Sequence, residues 1–128
     1  MTERDAATER IAYCLTRDRE LAEALEERLV GAIAFFYNDA ARLHQAVTLR
    51  APDLVLVDVG AIREEFGDAG LGPIVAFLRE RCPGAQVAVR PRAGVEHLVA
   101  AEAGTGVDLL PHDRAACVEA VAQLCGCA

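Results

Sequence analysis

Three residue types are missing from this 128-residue chain, which contains no lysine, no serine and no tryptophan. Without lysine, the chain has neither a Schiff-base nucleophile nor the phosphate-binding lysine of a P-loop. Without serine, a serine nucleophile is excluded as well. All 13 basic side chains are therefore arginine, which stays charged and presents planar, fixed hydrogen-bond donors. Since the sequence shows no pair of a nucleophile and a base, we predict that the protein is not an enzyme.

The net charge and the hydropathy of the chain exclude further classes of protein. The 20 acidic residues outnumber the arginines, so the net charge is -7, and a surface of this sign does not favour binding to nucleic-acid phosphates. No apolar run approaches the roughly 20 residues that span a bilayer, and the polar N-terminus is unlike a signal peptide. We expect one globular domain in the cytoplasm, with no nucleic acid, membrane or cofactor among its ligands.

Five cysteines are spread along the chain, an odd number without an export signal. We interpret them as reduced thiols that are mostly buried. Only Cys125 and Cys127, with one glycine between them, have the spacing of a metal-binding or redox pair. Because zinc requires four ligands and no second pair is nearby, we predict no metal site. A redox or metal role of this pair is the alternative.

Apolar runs and helical periodicity alternate along the chain and predict five strands and five helices. An arm over residues 1–9, expected to be flexible, precedes a domain over residues 10–125. The predicted strands are 11–16, 32–37, 53–59, 86–90 and 107–110, and the predicted helices are 18–31, 39–50, 73–82, 94–103 and 113–125. Asp18 and either Asn38 or Asp39 are the predicted N-caps of the first two helices. The glycine-rich stretch 60–72 predicts a long loop with at most a helical turn.

Strands that alternate with helices predict parallel βαβ units with right-handed crossovers. A flavodoxin-like, doubly wound α/β sheet of five parallel strands in the order 2-1-3-4-5 fits this length. Functional groups in such sheets lie at the carboxyl ends of the strands, near the switch point between strands 1 and 3. The site is therefore predicted among the residues that follow the strands.

The segment PDLVLVDV over residues 52–59 resembles the third strand of response-regulator receiver domains, which ends in a phosphate-accepting aspartate. The matching residue is Asp58. The segments RERCPGAQVAV and AAEAGTGVDLLPHD, around the fourth and fifth strands, are also similar to receivers. The resemblance covers about residues 10–125 and implies the receiver fold and a role in bacterial two-component signalling.

Receivers hold magnesium with an acidic pair after the first strand, and here that pair is replaced. The matching residues are Thr16 and Arg17, with Asp18 immediately beyond. Magnesium prefers carboxylate and water oxygens in near-octahedral geometry, whereas a guanidinium provides charge and no acceptor. We expect no metal here.

The fourth and fifth strands also depart from the family pattern. Arg90 and Pro91 stand where receivers have a threonine or serine, and His112, or the proline before it, stands where they have a lysine. Leu109 takes the place of their aromatic residue. The loss of groups that stabilise charge on a transferring phosphoryl group predicts inefficient phosphorylation of Asp58.

Arginine offers a substitute for the missing cations. We predict that Arg17 or Arg90 forms a charge-assisted pair with Asp58, which would fill the space of magnesium and phosphate. The alternative is that these arginines are solvated and that backbone groups cap the carboxylate.

The resemblance implies a phosphorylation-independent pseudo-receiver that acts as a protein–protein interaction module in signalling. Receivers commonly dock partners or dimerise through the surface of their fourth helix, fifth strand and fifth helix. The matching residues here are Val95, Leu98, Val99, Glu102 and Leu109. The expected partner is a signalling protein, either kinase-like or an output protein, and a homodimer through the fourth and fifth helices is a further expectation.

Two other functions stay open from the sequence. One is a sensor that binds a small anionic ligand or a redox signal at the carboxyl edge of the strands. The other is a receiver with residual phosphorylation at Asp58. The stretch 60–72 is a second candidate interaction surface, because long loops in compact domains are usually functional or disordered.

Overall fold

The computed structural model describes residues 10–66, 70–92 and 106–127 of the chain, which form one sheet with helices on both of its faces. The strands are β1 (Arg10–Leu15), β2 (Ala32–Tyr37), β3 (Leu54–Asp58), β4 (Gln86–Arg90) and β5 (Asp108–Leu109). The helices are α1 (Arg19–Arg28), α2 (Ala40–Leu49), α3 (Val59–Phe66), α4 (Leu71–Arg81) and α5 (Arg114–Leu124). The predicted arm 1–9 and the predicted helix 94–103 lie outside the described residues.

All neighbouring strands pair in parallel, and their order is β2-β1-β3-β4-β5. This confirms the predicted flavodoxin-like α/β sheet. The central strand β3 is buried at every residue, as a nearly continuous run of valine and leucine requires when both faces of a parallel strand are covered. None of the described helices is long and apolar enough to cross a bilayer.

The two faces of the sheet build two separate cores. Alternate residues of β1 and β3 point to opposite faces, because side chains along a strand have a period of two. On one face Leu15 and Val57 pack with α2, α3 and α4. On the other face Cys14 and Leu56 pack with α1 and α5. The sheet is thus fixed from both sides, which sets the positions of the strand ends.

Carboxylate caps begin three of the helices, as the sequence predicts for the first two. Asp18 accepts a hydrogen bond from the backbone N–H of Leu21 at 3.1 Å, and Asp39 accepts one from Arg42 at 2.8 Å. Asp113 caps α5 in the same way. Such caps satisfy backbone donors that the first turn of a helix leaves open.

The prediction of a loop over residues 60–72 is wrong, because Val59–Phe66 forms α3. The helix forms because Ala61 and Ile62 are buried in the core on the α2 side of the sheet. Packing of that face outweighs the low helix propensity of Gly60. The next helix also begins earlier than expected, at Leu71, so Pro73 lies within its first turn, where its missing N–H has no intrahelical acceptor. The last strand is shorter than predicted, with two residues.

Candidate functional site

The carboxyl ends of β1, β3 and β4 bring three polar side chains into contact. Asp58 and Arg90 are the last residues of neighbouring strands and lie opposite each other in the sheet register. Thr16 follows β1 directly. The exposed fractions are 5% for Thr16, 7% for Asp58 and 6% for Arg90. Polar groups buried to this degree are stable only when they are hydrogen-bonded or paired.

Asp58 accepts hydrogen bonds from three donors. The hydroxyl of Thr16 donates to its Oδ2 at 2.7 Å, and Nη1 of Arg90 donates to the same oxygen at 3.3 Å. The backbone N–H of Gly60, in the first turn of α3, donates to Oδ1 at 3.3 Å. The carboxylate is therefore bound from β1, from β4 and from the helix that follows it.

Arg90 is the centre of this cluster. Besides Asp58, its Nη1 donates to Oδ2 of Asp18 at 3.1 Å. Its Nε and Nη2 donate to the backbone carbonyl of His112 at 3.1 and 2.9 Å. Burial alone would lower the pKa of Arg90, but the hydrogen bond with Asp18 and the charge of Asp58 outweigh it and raise the pKa. The site thus holds a fixed internal cation.

Asp18 completes the cluster from the loop between β1 and α1. Burial alone would raise its pKa, but the hydrogen bonds from Leu21 and Arg90 and the charge of Arg114 hold the pKa below its ordinary value. The backbone N–H of Asp18 donates to the hydroxyl oxygen of Thr16 at 3.1 Å. Asp18 is therefore an anion at neutral pH and a second carboxylate for Arg90.

Two residues near the start of α5, His112 and Arg114, make further contacts at this cluster. Nδ1 of His112 lies 3.0 Å from the carbonyl oxygen of Pro91, to which it donates. Nη2 of Arg114 lies 2.9 Å from Glu20 Oε1 and 3.6 Å from Asp18 Oδ2. Arg114 was not among the predicted site residues, although it directly follows the capping Asp113, and the segment after the fifth strand leads from the same edge of the sheet.

The remaining predicted site residues lie apart from Asp58 or outside the described chain. Of the two arginines predicted to pair with Asp58, Arg90 does so. The Nε of Arg17 instead donates to the backbone carbonyl of Asn38 at 2.7 Å. Leu109, on the edge strand β5, is 44% exposed. Val95, Leu98, Val99 and Glu102 fall outside the described residues.

The cysteines give little support to a redox or metal role. Burial raises the pKa of Cys117 and of Cys125 to about 11, so both remain thiols at neutral pH, and the thiol is the unreactive form. Cys127 is half-buried. Among residues 10–66, 70–92 and 106–127, no three histidine, cysteine or acidic side chains are grouped in a way that could hold a metal ion.

Several solved structures similar to this chain are response regulators or their receiver domains. NtrX from Brucella abortus, solved in complex with ADP, superposes with a TM-score of 0.72 and 14% identity, over 92% of this chain and 27% of that one. A response regulator from Thermotoga maritima has a TM-score of 0.69 and 18% identity, over 92% of this chain and 98% of that one. A CheY-like receiver domain from Methylobacillus flagellatus has a TM-score of 0.65 and 18% identity, over 91% of this chain and 98% of that one.

These similarities are structural, at low sequence identity. No protein-family model matches the sequence, and no curated protein matches it. The chain spans 27% of the NtrX chain, so the activities of such longer proteins do not transfer to it. The strand order, the helix placement and the superpositions agree on one conclusion: this chain has the fold of response-regulator receiver domains.

Proposed function

We propose that this protein is a pseudo-receiver, a signalling module that acts through protein–protein contacts without phosphorylation of Asp58 and without catalysis. The observation that carries the proposal is the buried guanidinium of Arg90, which donates to the carboxylates of both Asp58 and Asp18. In this proposal, the internal cation takes the place of the metal ion and phosphoryl group of a receiver.

The residues around Asp58 do not fit a magnesium ion. Thr16 and Arg17 stand where receivers have acidic ligands, and the Thr16 hydroxyl already donates to Oδ2 of Asp58. A divalent cation between Asp58 and Asp18 would lie next to the guanidinium of Arg90, and like charges repel strongly at short range in a buried site. The proposed function therefore involves no metal ion.

A phosphoryl group on Asp58 would also meet a site that is already filled. Arg90 could reach its oxygens only by giving up bonds to Asp18 and to the carbonyl of His112, and the latter are two of its shortest contacts. The chain contains no lysine that could take over. The carboxylate of Asp58 is better described as a structural anion that holds Arg90 between the strand ends.

The exposed surface next to β5 is the proposed docking face. Leu109 on β5 is a large apolar side chain that is 44% exposed, and its burial against a partner would remove apolar surface from water. We propose that a signalling protein of the bacterial cytoplasm, kinase-like or an output protein, binds there. A homodimer through α5 and the predicted helix 94–103 would use the same face and remains a prediction.

Titration with magnesium and beryllofluoride tests the absence of phosphorylation chemistry. Because the backbone N–H of Gly60 donates to Asp58, its NMR resonance would report any ligand on the carboxylate. We expect no saturable shift at millimolar magnesium, with or without beryllofluoride, and no acyl phosphate after incubation with acetyl phosphate.

A double variant, Thr16→Asp with Arg90→Thr, is the positive control for this titration. It adds a carboxylate and removes the cation, so we expect it to bind magnesium where the wild type does not. A saturable, magnesium-dependent shift of Gly60 in the wild-type protein would contradict the proposal and favour a receiver with residual phosphorylation.

A further inference from the structure

The two edges of the sheet differ in length and in protection. β5 has two residues and carries Asp108, whereas β2 has six, AIAFFY. No charged residue or proline occurs between Leu29 and Asn38. On β2, Ile33 and Phe35 remain 39% and 46% exposed. Natural proteins usually guard an edge strand with charges, proline, bulges or shortness, and β2 has none of these charges or prolines.

The main chain of β2 is oriented so that half of its polar groups face away from the sheet. The carbonyl of Tyr37 accepts a hydrogen bond from the N–H of Thr16 at 3.0 Å, so Tyr37 points its polar groups toward β1. Because these groups alternate in direction along a strand, Ile33 and Phe35 also point toward β1. Ala34 and Phe36 then direct their N–H and C=O groups outward, at the edge of the described sheet.

We propose that a second copy of this chain pairs with β2 through this edge. The two β2 strands would run antiparallel about a two-fold axis at Ala34, so that each Ala34 exchanges hydrogen bonds with its counterpart. The two five-stranded sheets would then form one continuous sheet. A two-fold contact of this kind is closed, because the same surface is used on both copies.

The side chains of β2 complement themselves in this register. On one face Ile33 lies opposite Phe35 of the second copy, and a pair of a β-branched and an aromatic residue is favourable across strands. On the other face Ala32 lies opposite Phe36, so that a small residue faces a large one. Phe35 is already held edge-to-face against Tyr13, with ring centroids 5.9 Å apart. The segment carries no charged residue, so it has no electrostatic feature that would favour a different protein over a second copy.

The net negative charge of each copy opposes this association, so the salt dependence of the dimer Kd provides a test of it. Each copy carries a net charge of -7, and the contact itself is uncharged. Salt screens the repulsion between the copies, so we expect added sodium chloride to tighten the dimer. A contact held by ion pairs would weaken under the same conditions.

Sedimentation velocity over a concentration series measures the association, and two variants locate it. Ala34→Pro removes an outward N–H without touching the bonds to β1, and Phe35→Lys places a charge against Ile33 of the second copy. We expect a dimer for the wild type and, for each variant, an increase of about a hundredfold in the dimer Kd. If circular dichroism shows that Ala34→Pro does not fold, the test rests on Phe35→Lys, because the side chain of Phe35 is half-exposed and its replacement leaves the core intact.

Gln86→Lys is the matched control, because it adds the same charge at an exposed residue of another strand, β4. We expect its dimer Kd to equal that of the wild type. Leu109→Lys tests the face of β5 and α5 in the same assay. A monomer at every concentration overturns the proposal. So does a dimer that Leu109→Lys dissociates and Phe35→Lys does not, since that result places self-association on the face of β5 and α5.

Amide hydrogen exchange tests the register directly. The N–H groups of Ile33 and Phe35 face β1 and should be protected at all concentrations. Those of Ala34 and Phe36 should become protected only at concentrations at which the dimer forms. Rapid exchange of Ala34 and Phe36 in the dimer would overturn the edge-to-edge pairing. None of these measurements depends on the proposed function of the Asp58 site.

Discussion

Two groups of charge pairs tie distant parts of this chain together, and they differ in exposure to water. Arg28 on α1 binds Glu119 on α5 through two parallel contacts, at 2.9 and 3.1 Å. Arg90 lies 3.3 Å from Asp58. The side chains of the first pair are 29% and 59% exposed, and those of the second are 8% and 10% exposed. By distance alone, the exposed pair has the better geometry.

The difference teaches that burial, and not distance, decides what each pair does. Water and salt screen an exposed pair, which also orders two long side chains, so its contribution to stability is small. A buried charge that loses its partner has no water to replace it, so breaking the pair is strongly destabilising. The buried cluster therefore holds the strand ends in one arrangement, and the exposed pair does not.

The largest effect should come from Arg90→Met. This change leaves Asp58 and Asp18 without their cation and frees the carbonyl of His112, so we expect a loss of about 3–5 kcal/mol in the free energy of unfolding. Urea denaturation followed by circular dichroism measures it. Arg17→Met is the matched control, since the Nε contact of Arg17 is exposed, and its loss should stay below about 1 kcal/mol.

Equal losses in the free energy of unfolding for Arg90→Met and Arg17→Met would show that the buried cluster contributes no more to stability than an exposed contact does. A gain of stability in Arg90→Met would mean that an apolar side chain fills the space better than the ion pair does, which occurs in some buried pairs.

The next largest effect should come from Asp58→Asn. The amide oxygen can still accept from Thr16, and Arg90 keeps Asp18 as its anion, so we expect a loss of about 1–3 kcal/mol. The same denaturation experiment measures it, beside Arg90→Met. A loss as large as that of Arg90→Met would show that Asp18 does not share the charge of Arg90.

Much of the fold could be predicted because its signals are local. Apolar runs mark the strands, and Asp18 and Asp39 mark the helix starts, because a capping side chain acts within its own turn. The helix α3 was missed because its glycine and its neighbouring charges are typical of a loop. The i, i+3 spacing of Val59 and Ile62, both buried, was the signal that could have found it.

The site could be predicted only in part. The meeting of Thr16, Asp58 and Arg90 follows from strand order, since parallel strands end at the same edge. The choice between Arg17 and Arg90 was left open, although Asp58 follows Leu56 and Arg90 follows Ala88 by two residues. The period of two along a strand places both side chains on the same face of the sheet and was the signal that favours Arg90. The carbonyl of His112 binds Arg90 through the backbone, so the residue type carries no sign of that role.

A smaller, pH-dependent effect should come from Asp18→Asn. Asparagine keeps the cap on α1 and removes the charge that Arg90 and Arg114 hold. The pKa of Asp18 is lowered in the folded protein, so its charge stabilises the fold above the unfolded pKa of about 3.9. That contribution is lost as the pH falls through the folded pKa. We expect at most about 1 kcal/mol at pH 7, because solvent screens this side chain.

Thermal melts of the wild type and Asp18→Asn between neutral and acid pH measure this difference. The two curves should converge at low pH, where both proteins are uncharged at this position. A constant difference across the range would assign the effect to the cap rather than to the charge.

The smallest effect should come from Arg28→Gln, although it breaks the shorter pair. The hydrogen bond with Arg28 lowers the pKa of Glu119, but both side chains remain in contact with water, which solvates each of them after the pair is lost. We expect no measurable change in Tm at moderate salt.

A double-mutant cycle of Arg28→Gln with Glu119→Gln, run beside the cycle of Arg90→Met with Asp58→Asn, compares the two pairs directly. The coupling of Arg28 with Glu119 should vanish as sodium chloride is raised, whereas that of Arg90 with Asp58 should persist. A salt-resistant coupling in the exposed pair would show that geometry, and not burial, sets the strength of the charge pairs in this fold.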